Sequence, residues 1–444
     1  MHPLHHRSRR ALCILAFWGL GVLPLGLVLT WCMWRHRPGR VAEEAESLGQ
    51  QLGLTVTIQA VHDLRPGATR YEGVRLIHPE TGRSVFFASS LETGWEPATD
   101  STKRPVEALT ITLSGGEMGV ESLDELERLI QRVMEGRAGC HDPQVRLRAH
   151  ELQLHAGQRV QNFAEVQALV DSVADGVQTV VYFHLADVVM PAPAKIRFLR
   201  NRGTTPPSAG FEFSSGDTPL PCELLLPGLP QLARLGRQCK FQGSIAGDQF
   251  SGPWQGRVAG QFSDVDCESL LADYPPQRLS GAGQLLVDAR FREGRLEMAS
   301  GDLRAGPGTI SQSLLDAAAH CFGLSRGPKP QLDPAPYEQL ALAFTFSEQG
   351  INVQGRCPVS GPPAAILVDR STRMLGEPAA KSIPTIALVQ LLVPPGEAQV
   401  SVSRSCEQIL RWLPIPEAVD GGRWPADGGE PTVGSRPPAA VSRQ

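Results

Sequence analysis

The stretch from Ala11 to Trp34, ALCILAFWGLGVLPLGLVLTWCMW, carries no charged residue and is framed by arginines on both sides. Wound as an α-helix at about 1.5 Å per residue it would reach about 36 Å, enough to cross a hydrocarbon core of about 30 Å. The sequence therefore predicts a single transmembrane anchor built from Leu12, Ile14, Leu15, Phe17, Trp18, Leu20, Val22, Leu23, Leu25, Leu27, Val28, Leu29, Trp31 and Trp34. Trp31 and Trp34 fall at its far end, where amphipathic rings favour the membrane interface. A cleaved signal peptide has the same charge and apolar pattern, but no small-x-small site follows the run, which goes straight into WCMWRHRPGR. The arginine count is tied across the two flanks, so orientation is read from the shortness of the leading segment: N-terminus in the cytoplasm, large region outside.

Charge narrows the partners. The chain has 42 basic and 46 acidic residues, and the first forty carry six arginines and no acid, so the remainder holds 36 basic against 46 acidic. An acidic body excludes nucleic acid, whose affinity comes from neutralising phosphates. Outside the anchor, seven cysteines are scattered without a CxxC, giving no spacing support for zinc or redox pairing. Isolated buried thiols and one or two long-range disulfides both fit that scatter.

Beyond the anchor the chain reads as strands. A short helix over 41–51 leads into LTVTIQAV (54–61), YEGVRLIH (71–78), RSVFFASSLE (83–92) and VEALTITLSG (106–115), separated by turn-forming Pro and Gly. A capping box at Ser122 to Glu125 opens an amphipathic helix. QVRLRAHELQLH (144–155) alternates in two halves, Val145 and Leu147 pointing one way within the first, Leu152 and Leu154 within the second. Strands over 165–170, 177–185 and 195–200 follow, and NRGTTPPSAG (201–210) reads as a linker. Hairpins are expected over 240–262, 279–308 and 340–357, with a further strand over 364–370. Helices are expected at TISQSLLDAAAHCFGL, ending at Gly323, and over 384–393 and 403–413. From Pro414 the composition is that of a disordered tail. The expected organisation is a basic tail (1–10), anchor (11–34), N-terminal β-rich region (35–200), linker (201–210), C-terminal β-rich region (211–414) and tail (415–444).

FQGSIAG (241–247), GRVAGQFSDVD (256–266), RLSGAGQLLVDARFREGRLEMASGDLRAGPGTIS (278–311) and FTFSEQGINVQG (344–355) repeat a strand, a glycine-containing turn and a returning strand. In these stretches the chain resembles the C-terminal part of the AsmA/TamB-like envelope proteins, and YEGVRLIHPETGRSVFFASSLE (71–92) is similar to that family's N-terminal repeat. The resemblance implies a mainly β protein with few helices. An elongated, curved antiparallel sheet would form an apolar groove, anchored in the inner membrane and facing the periplasm. It implies a part in lipid transport or outer-membrane biogenesis, with membrane lipids and other envelope proteins as partners, no cofactor and no catalytic residue. About sixteen strands at about 4.8 Å would extend such a sheet about 75 Å. The competing expectation is a membrane-tethered scaffold whose sheet encloses a closed core.

The residues that suggest chemistry have plainer readings. His150 and His155, five apart, are expected on opposite sides of one strand and so cannot chelate one metal. His141-Asp142 precedes a proline and reads as a turn, and His2, His5 and His6 as polar tail. Gly281-Ala-Gly283 opens a strand where a phosphate loop would open a helix. Ser311 and Ser313 fit helix capping, as do Asp264 and Asp266, which would need further oxygen ligands to hold calcium.

Overall fold

The computed structural model describes residues 39–392, apart from 53, 79–80, 100–104, 121–143, 157–158, 174–175, 204–206, 226–229, 249–253, 359–363 and 381. Before residue 39 it describes 17–23, 25–26, 29–30 and 37. The expected helices over 122–136 and 403–413 and the tail lie outside the described residues.

The N-terminal stretch departs from expectation. Among the described residues no helix is long and apolar enough to cross a membrane, which overturns the single-pass anchor and the inner-membrane placement drawn from it. The described residues there are helical over 17–23, which includes the five-residue π-helical turn Trp18–Val22, and again at 25–26 and 29–30. At about 1.5 Å per residue the longest described run, 17–23, would span about 10 Å, against about 30 Å of hydrocarbon. Gly19 and Gly21 sit inside it, each about 1 kcal/mol less favourable than alanine in a helix. Of the anchor residues, Phe17, Trp18, Leu20, Val22, Leu23, Leu25 and Leu29 are described, and all but Val22 are exposed. Leu12, Ile14, Leu15, Leu27, Val28, Trp31 and Trp34 lie outside the described residues.

From Arg40 the chain winds one amphipathic helix, α1 (Arg40–Leu52), tied to the sheet by Arg40, which donates to both carboxylate oxygens of Asp63 at 2.6 and 2.9 Å. Leu48 of α1 packs against Val56, Tyr71 and Val74. Strands then follow almost without interruption. They are β1 (Thr55–Thr57), β2 (Ala60–Arg65), β3 (Ala68–Ile77), β4 (Ser84–Thr99), β5 (Pro105–Val120), β6 (Gln144–Ala156), β7 (Arg159–Val173), β8 (Gly176–Leu185), β9 (Ala194–Asn201), β10 (Ser208–Ser214) and β11 (Leu220–Pro221). After two 3-10 turns, Cys222–Leu224 and Pro230–Leu235, come β12 (Lys240–Asp248) and β13 (Gln255–Asp266), then helix α2 (Cys267–Leu271). The hairpin β14 (Ala282–Arg292) and β15 (Arg295–Ala305) precedes β16 (Gly308–Ile310) and helix α3 (Gln312–Phe322). The last elements are β17 (Leu324–Arg326), β18 (Ala335–Tyr337), β19 (Gln339–Ser347), β20 (Gly350–Gly355), β21 (Ala365–Asp369), β22 (Thr372–Pro378) and helix α4 (Ile386–Leu392).

Twenty of these strands form one curved sheet, and β16 and β18 pair separately. The sheet is mixed, which corrects the all-antiparallel expectation: β5 and β6 run parallel, with Ile111 opposite Leu147. A parallel pair needs a crossover between its strands, and residues 121–143 separate these two. The other ladders are antiparallel, because short turns join strands adjacent in sequence. Glu293 and Gly294, at φ 52° and 75°, supply the two left-handed positions of the primed turn that matches strand twist. Gly67, at φ 79° after Pro66, turns β2 into β3 in the same economical way.

The ladders of five neighbouring strands are interrupted at one level. The pairings skip a position at Gly73 in β3, Ser89 in β4, Gly115 in β5, His150 in β6 and Glu165 in β7. Gly73, Gly115 and Glu165 take left-handed φ of 60°, 60° and 51°, and at Glu165 the β7–β8 ladder shifts register as a bulge does. Ser89 Oγ donates to the Ser114 carbonyl at 2.6 Å, in the space a side chain at Gly115 would need. The register on either side of this level is the same in all four ladders.

Helix α3 closes the C-terminal end. Ser311 caps it by accepting from the Leu314 amide at 3.3 Å, and Gly323 ends it in the left-handed region at φ 63°. Leu314 and Leu315 of α3 and Ala387 of α4 pack with Ile351, Leu367 and Tyr337 in a closed core. Tyr337 is 2% exposed and its hydroxyl donates to the Ser280 carbonyl at 2.7 Å; burial pushes its pKa up to about 12. A phenol with a raised folded pKa contributes stability that is complete below its unfolded pKa of about 10 and lost as pH climbs through the folded value. Unfolding free energy is therefore expected to fall by about 2 kcal/mol between about pH 10 and 12. Tyr337→Phe should remove that slope in urea titrations, and an unchanged slope would show that another group causes it.

Candidate functional site

Alternation along each strand gathers the sheet's apolar side chains on one face. Read across the ladders, one row joins Ile111, Leu147, Ala168, Val181, Ile196, Phe213, Ile245, Val258, Ala289, Ala299, Phe346 and Ile351, each directly opposite the next. Twelve strands thus contribute one residue each, and eleven steps of about 4.8 Å make a stripe about 53 Å long. No residue in it is polar. A second row, Leu220, Phe241, Phe262, Leu285, Leu303 and Leu342, runs parallel to it in the C-terminal half. Between the two lies Gly243, Gly260, Val287, Gly301, Phe344 and Val353. Its glycines make room for rings: a side chain at Gly301 would meet the Phe344 ring at 2.9 Å.

Coverage of this face varies along its length. At the C-terminal end α3 and α4 lie over it. In the middle, Leu224, Leu225, Leu232 and Leu235 from the two 3-10 turns pack with Phe213, Phe241, Ile245 and Phe262. Phe241 is fully buried, its ring centroid 4.9 Å from Phe262 and 6.4 Å from Phe213. Over β5 to β9 the row is half-buried, Ile111, Leu147, Ala168, Val181 and Ile196 all retaining solvent contact.

The opposite face is polar and salt-bridged. Arg70 donates to Glu92 at 2.8 Å, and Arg257 grips Asp288 through two bonds of 3.0 and 2.7 Å. The Arg257 guanidinium holds the Asp288 carboxyl below its usual range. Two hollows formed by described residues, of about 790 and 480 Å³, open on this polar face. The larger runs over Ala246, Arg257, Arg290 and Met298, the smaller over Ala259, Asp288, Ser300, Thr345 and Asn352. Paired charges and amides suit water far better than an acyl chain.

The residues singled out for chemistry are put to structural use. His150 and His155 both lie on β6, where five residues of strand separate them by about 16 Å, too far to share one metal ion. Asp266 accepts from the Glu268 amide at 3.0 Å and caps α2, and Asp264 pairs with Lys240 at 3.2 Å. Ser313 hydrogen-bonds the Ser311 hydroxyl at 3.0 Å at the start of α3. Gly281, at φ 124°, leads into β14 where a side chain would strike the Tyr337 hydroxyl. His2, His5, His6, His141 and Asp142 lie outside the described residues. Among the described residues no group of three His, Cys, Asp or Glu side chains could hold a metal ion.

The site is thus a surface without reactive groups, and its chemistry is that of apolar contact. No protein-family model, curated protein or solved structure matches this chain. The row itself was not read from the sequence, since alternation gives each strand's apolar side but not which residue of the next strand lies opposite.

Proposed function

We propose that this protein binds the acyl chains of lipids along the apolar face of its sheet and serves in lipid transfer, in the manner of the AsmA/TamB-like proteins its glycine-paced hairpins resemble. The observation that carries the reading is the unbroken apolar row from Ile111 to Ile351, half-buried from β5 to β9. One apolar face on an open sheet must be covered by something other than water to be stable. Acyl chains fit because the row supplies length and greasiness without a hydrogen-bonding group to fix one headgroup or one orientation.

A second reading, a scaffold with a closed core, draws on the C-terminal end, where α3 and α4 already cover the face. Lipid extraction separates the two. The purified full chain should carry lipids that organic extraction and mass spectrometry identify at one or more per protein. A folded sample that yields none favours the scaffold.

A further inference from the structure

Cys222 and Cys239 bracket the two 3-10 turns that cover the middle of the apolar face. The ladder between β11 and β12 pairs Leu220 with Phe241 and Pro221 with Lys240, so the next pair in register is Cys222 with Cys239. The Cys222 amide donates to the Cys239 carbonyl at 2.8 Å, extending the ladder by that step. Residues directly opposite in an antiparallel ladder have Cα atoms about 4.5–5.5 Å apart, inside the range a disulfide spans. Their sulfurs stand 2.6 Å apart, about half an ångström beyond the covalent S–S length of about 2.05 Å. Both side chains are buried, at 2% and 0% exposure. Among the described residues no other two cysteine sulfurs come within hydrogen-bonding reach of one another.

We propose that Cys222 and Cys239 form a disulfide that staples the strap made by the two 3-10 turns over the apolar face. Two S–H bonds are lost and one S–S bond forms. A disulfide-exchange partner, a protein dithiol oxidoreductase in its oxidised form or a small-molecule disulfide, takes up the two electrons and two protons and leaves as two thiols. Exchange needs a thiolate that the partner can reach. Burial of both sulfurs places the step during folding, before the strap docks, and shields the finished bond from reductant afterwards. Contact with Cys239, then burial, pushes the Cys222 thiol pKa up, while the same contact draws that of Cys239 down, so the pair shares its protons unequally. Leu224, Leu225, Leu232 and Leu235 ride on the strap, so the bond fixes where the middle of the face is closed.

Peptide mapping tests this cleanly. Trypsin should release Gly203–Arg234, which contains Cys222 as its only cysteine, and Gln238–Lys240, which contains only Cys239. The full chain is refolded with oxidised and reduced glutathione, alkylated in denaturant and digested without reductant. The expected product is a linked pair of these two peptides, 2 Da lighter than their thiol sum, with Cys267, Cys321 and Cys357 alkylated. Alkylated Cys222 and Cys239, or either one linked elsewhere, in a sample that has regained its strand signal would overturn the proposal. If the chain does not refold, the same map on chain isolated folded from an oxidising compartment gives the same decision. Closing a loop of about 18 residues should favour folding about 200-fold. Reductant added during unfolding should erase that factor in the parent chain and change nothing in the Cys222→Ala/Cys239→Ala double variant; equal sensitivity of the two would count against the bond.

Discussion

Replacing Phe241 by alanine is expected to lower the unfolding free energy by about 4 kcal/mol, the cost typical of emptying a fully enclosed phenylalanine site. Phe241 is 0% exposed, lies opposite Leu220 and Phe262, and has the Phe213 ring alongside. It sits where two coverings meet, with the sheet's own rings on one side and the strap's leucines on the other. Leu220, Phe213 and Phe262 cannot follow a shrinking side chain without leaving their ladder positions, so the cavity stays open on that side. Domain stabilities are about 5–15 kcal/mol, which makes the loss a large part of the whole. Trp254 provides the contrast: an aromatic just before β13, but 37% exposed, with its ring centroid 6.2 Å from that of Phe211. Trp254→Ala should cost about 1 kcal/mol or less. Urea unfolding followed by far-UV circular dichroism reads both, and equal costs would mean that the middle of the face is not the packed region described above.

Much of the fold was legible in the sequence because local chemistry decides it. Glu293-Gly294 announces a hairpin, and it turns with two positive φ values. Ser311 and Gly323 bracket a helix in sequence and cap it in space. The two halves of QVRLRAHELQLH differ in phase, and the β6–β7 ladder omits His150 between them. What could not be read is what depends on partners distant in sequence. Nothing in β6 alone reveals that the ladders of β3, β4, β5 and β7 are interrupted at the same level, or that β6 joins β5 in parallel, since alternation is the same for either direction. Cys222 and Cys239 have no motif spacing and meet only because β11 and β12 pair in one register. The apolar run at the N-terminus misled for the opposite reason: hydropathy summed over a window does not measure helix length, and no described helix there is long enough to cross a membrane. The hollows on the polar face were equally invisible, because they arise from how the sheet bends.

Changing Val181 to aspartate should separate the open face from a closed core. Val181 is half-buried in the apolar row, with Ala168 and Ile196 directly opposite. Valine and aspartate are close in volume, so the change adds charge with little change of shape. On an open face the carboxylate hydrates and costs about 1–2 kcal/mol, whereas an unpaired charge in a sealed core costs about 3–5 kcal/mol or unfolds the chain. The same charge repels an acyl chain laid along the row, at a penalty expected to reduce lipid retention at least about 10-fold. Tyr182, next along β8 on the other face and 38% exposed, is the matched control: Tyr182→Asp should leave lipid and fold nearly unchanged.

The decisive measurement is the lipid bound per folded protein, by mass spectrometry, for the parent chain, Val181→Asp and Tyr182→Asp, each checked for strand signal. The expected result is lipid on the parent and on Tyr182→Asp, and about one-tenth as much on a folded Val181→Asp. Lipid undiminished on Val181→Asp, or a Val181→Asp chain that cannot fold while the parent carries no lipid, would contradict it.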